Sequence, residues 1–121
     1  MDMAIRVLLL TYSPRDDVDL DEYHAWLRAV DNPFFNGRPT VKHYVNYRIA
    51  APVQGDEDFT HFDILAIEGD GGPESVLGDE IIAEFARDWV RKWGKNPDPD
   101  APDQTVNYRV SLCEAVAAPE D

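Results

Sequence analysis

Apolar residues fill both alternating sides of "AIRVLLLTY", residues 4–12, the pattern of a central strand buried on both faces. "SPRDD" breaks the run. Asp19 followed by Glu22 makes a capping box, and Val18 with Tyr23 a hydrophobic staple, so a helix is expected to begin at Asp19. Leu20, Tyr23, Leu27 and Val30 then recur at helical spacing as one apolar stripe, with His24 and Trp26 on its flanks. Pro33 disfavours helical backbone at Asn32, which sets the helix end near "DNPFF". Residues 41–50 and 59–68, "FTHFDILAIE", read as two further strands paired as an antiparallel hairpin around the loop "APVQGDED". A second helix, irregular near Gly78, is expected to run to about Trp93, with Ile82, Phe85, Ala86, Trp89 and Trp93 on one side and Gly94 as its stop. After the exposed loop "KNPDPDAPDQ", residues 105–116 form the last strand.

The order is β-α-β-β-α-β over residues 1–121, without a repeat or dividing linker. It describes one α+β domain with a four-stranded antiparallel sheet, the ferredoxin-like split βαβ arrangement. Helices cover one face of such a sheet. The first and third strands are too apolar to leave the other face in water, so a second copy of the chain is expected to cover it as a homodimer. Residues 41–49 carry polar groups on both sides, with Lys42, Tyr44, Asn46 and Arg48 on one and His43, Val45, Tyr47 and Ile49 on the other. One side is expected to border a ligand space and the other to meet a subunit; the sequence leaves open which.

A net charge of −13, from 24 acidic and 11 basic residues, argues against nucleic-acid binding, because phosphates are repelled. "RVLLLTY" is too short for a signal peptide's apolar region or a membrane span, so no membrane association and a cytoplasmic location are expected. The lone Cys113, inside "YRVSLCEAV", is expected to be a small buried thiol. His24, His43 and His61 lack the spacing of a metal motif, and "KNPDPDAPDQ" lacks the glycine and closing glutamate of a calcium loop, so no metal is expected. "GDGGP" has neither phosphate-loop spacing.

The helix "DEYHAWLRAVDNPFF" followed by "TVKHYVNYRI" resembles the dimeric α/β-barrel superfamily, in which two ferredoxin-like subunits pack sheet against sheet. Within it the chain is most similar to REDY-like proteins associated with prodiginine pigment biosynthesis, and next to EthD-like proteins. Relatives often place a histidine before the proline that follows the first helix, where this chain has Asn32. The resemblance implies a homodimer, a small cavity between helices and sheet, and chemistry without a bound cofactor on aromatic or polyketide-like molecules of secondary metabolism.

If the hairpin register keeps odd-numbered residues together, His43, Tyr47, His61 and Asp63 share one face. His61 and Asp63 then lie about 7 Å apart on one strand, a spacing at which the carboxylate can orient the imidazole for proton transfer. Arg109, beside Asn107 and Ser111, is placed either to stabilise an enolate or phenolate or to pair with an acid such as Asp63. His24 borders the apolar stripe, and Tyr23, Trp26, Phe34, Phe35, Trp89 and Trp93 make either a lining for a flat ligand or a plain core. Two functions fit: a cofactor-independent cyclase, isomerase or lyase with His61 and Asp63 moving the proton and Tyr47 and Arg109 holding the oxyanion, or a non-catalytic dimeric accessory protein that binds a hydrophobic metabolite.

Overall fold

Alternation governs strand β1 (Arg6–Tyr12), whose Leu8, Leu10 and Tyr12 are buried beneath helices while Val7 and Leu9 on the other side are half-buried. In this computed structural model, which describes residues 6–69, 72–95 and 107–119, the chain continues through α1 (Leu20–Trp26), a π-helical turn (Leu27–Asp31), α2 (Asn32–Asn36), β2 (Val41–Arg48) and β3 (His61–Ile67). It then forms α3 (Glu74–Leu77), α4 (Glu80–Trp93) and β4 (Arg109–Glu114). The sheet order is β2-β3-β1-β4 with every neighbouring pair antiparallel, the expected α+β ferredoxin-like arrangement. The loop expected after α4 lies, apart from Lys95, outside the described residues. No helix among the described residues is long and apolar enough to cross a membrane.

Asp19 caps α1 as expected, its carboxylate accepting from the backbone N–H groups of Asp21 and Glu22 at 2.9 and 3.2 Å. The helical path does not stop at Asn32. Asn32 keeps helical dihedrals (φ −63°, ψ −48°), and its N–H donates to the Leu27 carbonyl, five residues back. The widened turn accommodates Pro33, which has no N–H to give and whose ring would collide with a carbonyl in a regular helix. Gly78 does divide the second helical segment, between α3 and α4. Gly94 ends α4 with extended dihedrals, and a Cβ there would stand 2.9 Å from Val90 Cα, so close approach is what demands glycine.

Two clusters fill the space between sheet and helices. One gathers Leu8, Leu10, Phe35, Val41, Tyr44, Leu65, Ile67, Val76 and Ile82; the other gathers Tyr12, Tyr23, Leu27, Trp89 and Val90. On the face away from the helices Phe62, Ile64 and Ala66 of β3 join Val7 and Leu9, all half-buried, so β1 and β3 are fully covered on one face only. Cys113, opposite Val7 on that face, is half-buried, not enclosed in the core as expected.

Replacing Leu65, 1% exposed, by Ala is expected to lower unfolding free energy by about 2–5 kcal/mol in urea titrations. Val53→Ala, at a fully exposed site, is expected to stay within about 0.5 kcal/mol of the parent.

Candidate functional site

The orientation of every polar group on β2 follows from one irregularity. Val41 pairs with Ile67, but His43, not Lys42, pairs with Ala66, so Lys42 is an extra residue in the ladder. Beyond this bulge Tyr44, Asn46 and Arg48 oppose Leu65, Asp63 and His61 on the helix-covered face. His43 and Tyr47 are turned to the other face, where the Tyr47 ring stacks on Phe62 at 4.8 Å. The expected grouping of His43, Tyr47, His61 and Asp63 on one face is therefore not formed: without the bulge, Val41 opposite Ile67 would have put odd residues together, and the extra residue reverses the alternation. Arg109, opposite Thr11, lies on the same outer face as Tyr47 and pairs with Asp58 at 3.1 Å, both side chains more than half exposed, and not with Asp63.

On the inner face four side chains close a polar network in an apolar setting. Tyr44 Oη lies 2.8 Å from Asp31 Oδ2 and 3.1 Å from Asp63 Oδ2, and Asn46 Nδ2 donates to Asp31 Oδ2 and Asp63 Oδ1, both at 2.9 Å. Asp31, Tyr44 and Asp63 are all at most 5% exposed. The phenol has a single proton and cannot donate to both carboxylates, so both contacts are satisfied only when one acid is protonated and donates to Tyr44 while Tyr44 donates to the other. Burial, with the nearby Asp31 carboxylate second, pushes Asp63 from an ordinary 3.8 up to about 8; burial pushes Asp31 up to about 6. Burial therefore favours one proton shared within the pair, and the larger upward displacement falls on Asp63.

Asp31 reaches this network because the π-helical turn carries it onto the sheet, and the flanking asparagines hold that turn down. Asn32 Nδ2 donates to Asn46 Oδ1 at 3.0 Å and to the Tyr44 carbonyl at 3.2 Å. Asn36 accepts from the Tyr44 N–H and donates to its carbonyl, both at 3.0 Å, in place of a neighbouring strand.

Two further networks adjoin. His24 Nε2 and His61 Nε2 are 2.9 Å apart, and His61 Nδ1 is 2.7 Å from Thr60 Oγ1. Burial lowers both imidazole pKa values, that of His61 to about 4, with His24 and then Arg48 adding to the effect there. His61 thus shares a face with Asp63 without a hydrogen bond to it. Trp89 Nε1 donates to Tyr23 Oη at 2.9 Å, which donates to Tyr12 Oη at 2.8 Å. Among the described residues no acceptor takes the Tyr12 proton.

These networks border two spaces. A cavity of about 210 Å³ between sheet and helices is lined by Tyr12, Tyr23, Asp31, Tyr44, Asp63, Trp89 and Tyr108 among others. A more open groove of about 400 Å³ beside edge strand β2 is lined by His24, Arg28, Asn32, Asn46, Tyr47, Arg48 and His61 with Leu27 and Val45. Of the expected aromatic lining, Tyr23, Phe35 and Trp89 face the cavity, whereas Trp26 and Phe34 stack on Phe85, itself a cavity residue, at 5.7 and 4.0 Å, and Trp93 lies against Tyr23 at 5.0 Å. Among the described residues no three His, Cys, Asp or Glu side chains are grouped to hold a metal ion.

A family model described as REDY-like protein HapK matches residues 6–98. The chain belongs to this REDY-like family. No curated protein and no solved structure matched it. The part matched by the REDY-like model contains both carboxyl groups, Tyr44, Asn46, the histidine pair and the Trp89–Tyr23–Tyr12 relay, whereas Tyr108 and Arg109 lie beyond it. Sequence reasoning missed Tyr12, Asp31, Tyr44 and Asn46 as site residues; the available signal was a pair of polar side chains, Tyr44 and Asn46, spaced to face one side of a strand beside another that carries Asp63 in an apolar run.

Because folded Asp63 retains a proton that the unfolded chain has released, stability is expected to fall as pH rises from about 4 towards 8. Depressed imidazole values act oppositely, but their effect is complete by about pH 7. Between pH 7 and 8.5 the melting temperature of the parent is expected to drop, unfolding free energy falling by at most about 1.4 kcal/mol per pH unit, and Asp63→Asn is expected to remove that slope.

Proposed function

We propose that this protein is a cofactor-independent enzyme that moves protons on a small aromatic metabolite bearing a carbonyl or phenol, in the manner of an isomerase, cyclase or lyase. The observation that carries the reading is a pair of buried carboxyl groups on the wall of an apolar cavity, bridged by one phenol that satisfies both only when one of them carries a proton. A neutral acid can protonate or hydrogen-bond a carbonyl oxygen while the neighbouring carboxylate takes a proton from the adjacent carbon. In such a step the substrate oxygen takes the place of Tyr44 as acceptor of the Asp63 proton, Asp31 accepts the carbon-bound proton, and the enol forms without external redox partner. Tyr44, bridging the two acids, offers the path by which the proton returns from Asp31 to Asp63. Tyr12, with its proton unspent, is the second donor for the developing oxyanion.

These roles replace those expected for Tyr47 and Arg109, which lie on the far side of the sheet, and move the proton from His61 to Asp63. Size supports a single substituted ring, since a cavity of roughly 150 Å³ accommodates benzene and this one measures about 210 Å³. The half-buried outer sheet face supports a homodimer, for which sedimentation at micromolar concentration is expected to give twice 13.7 kDa.

The test screens single-ring aromatic ketones and phenols by thermal shift, then follows deuterium incorporation beside the carbonyl of bound ketones by NMR. Catalysed exchange is expected in the parent. Asp63→Asn is expected to slow it about 10²–10⁴-fold with ligand binding retained, and Tyr12→Phe to weaken binding by up to about tenfold. A ligand that raises the melting temperature without any exchange identifies a binding protein instead. Exchange undiminished in Asp63→Asn removes the proposed acid.

A further inference from the structure

The groove beside β2 is chemically unlike the rest of the chain. Acidic residues outnumber basic ones by 24 to 11, yet no Asp or Glu among the described residues lines this groove, while Arg28, Arg48, His24 and His61 do. Arg15, Arg38, Arg91, Lys92 and Arg109 each have a carboxylate within 4 Å. Arg28 and Arg48 have no ion-pair or hydrogen-bond partner among the described residues. They come from different elements, the π-helical turn and the end of β2, and Arg48 acts on both imidazoles and Arg28 on His24, so their charges converge on one place. The amides of Asn32 and Asn46 in the groove are already engaged in holding the turn to the strand, which leaves the guanidinium groups and the histidine pair as the available donors.

We propose that this groove is a binding site for an organic carboxylate, with Arg28 and Arg48 as its anchors. Two unpaired guanidinium groups present fork-shaped donors matched to the two oxygens of a carboxylate, and Leu27 and Val45 give the carbon skeleton an apolar wall. Carboxylate is favoured over phosphate because the groove lining includes no helix N-terminus or loop of backbone N–H groups, the usual partners of a phosphate. The site is separate from the cavity and does not rest on its chemistry. Anion binding is linked to the neighbouring imidazoles: His24 faces Arg28 and Asp21 on its own helical segment, Arg48 from β2 and His61 from β3, and His61 also contacts the Tyr12 and Tyr23 rings. Neutralising the two guanidinium charges removes part of what disfavours an imidazolium, so binding takes up proton and tightens as pH falls.

The experiment titrates the full chain with sodium benzoate, sodium phosphate or sodium chloride at matched ionic strength, following the ring protons of the three histidines by NMR. Benzoate is expected to shift His24 and His61 saturably and to leave His43, on the outer face, unmoved. Arg28→Gln and Arg48→Gln, both at exposed positions, are each expected to weaken benzoate about tenfold or more, and Arg109→Gln to leave affinity unchanged; the apparent affinity is expected to rise between pH 7 and 5. Equal shifts with chloride, tighter binding of phosphate than of benzoate, or unchanged affinity in the Arg28 and Arg48 variants would each overturn the proposal. Preserved spectra elsewhere in the chain confirm that the variants fold.

Discussion

Two carboxyl groups removed from water and tied to one phenol resist being charged together, and much of the inner face of this sheet is arranged around that constraint. Asp31 and Asp63 sit in the lowest-exposure layer of the molecule, where an isolated carboxylate is strongly disfavoured. The ring of Tyr44 and Asn46 resolves the problem by holding two protons, the phenol's own and one acid's, among three oxygen-bearing groups, with the Asn46 amide donating to both carboxyl groups. Asparagine at position 46 supplies donors without adding a charge, and Asn32 in turn fixes the orientation of that amide. The network is thus both a structural tie between helix and sheet and a store of exchangeable protons on the wall of a cavity.

Two single-residue irregularities aim these groups. The extra residue in β2 turns Tyr44 and Asn46 inward, and the widened helical turn carries Asp31 towards them. β2 is an edge strand, and asparagine side chains from the helical segment bond the Tyr44 backbone on both its N–H and its carbonyl where no neighbouring strand does. The distortions and the asparagines that tie them together therefore form a single unit.

Much of the fold was legible in the sequence because it rests on patterns that local physics imposes: the apolar run of β1, the Asp19 cap, the irregularity at Gly78 and the strand over β3 all correspond to observed elements, whereas of the expected apolar stripe Tyr23 and Leu27 are buried and Leu20 and Val30 are exposed. Of the site, Asp63, His61, His24, Tyr23 and Trp89 could be picked out as polar or aromatic residues on inward-facing elements. What could not be read was phase. A strand's facing is a matter of parity, and nothing in "TVKHYVNYRI" announces that Lys42 is skipped; Asp31 likewise reads as an ordinary polar residue at a helix end until the turn is known to be widened. The unbulged register groups His43 and Tyr47 with His61 and Asp63, and register is a global pairing outcome that a strand's own composition does not encode; Arg109 faces outward through its own pairing with Thr11.

The π-helical turn has an implication for how such a site tolerates change in its gene. Each residue of a regular helix advances the side-chain direction by about 100°, so the extra residue between Leu27 and Asp31 acts as a rotational spacer. Loss of one codon there would leave a plausible amphipathic helix and an intact sheet while swinging the aspartate off its target. Spacing, more than the identity of the intervening Arg28, Ala29 and Val30, is therefore what keeps the aspartate aimed at the sheet.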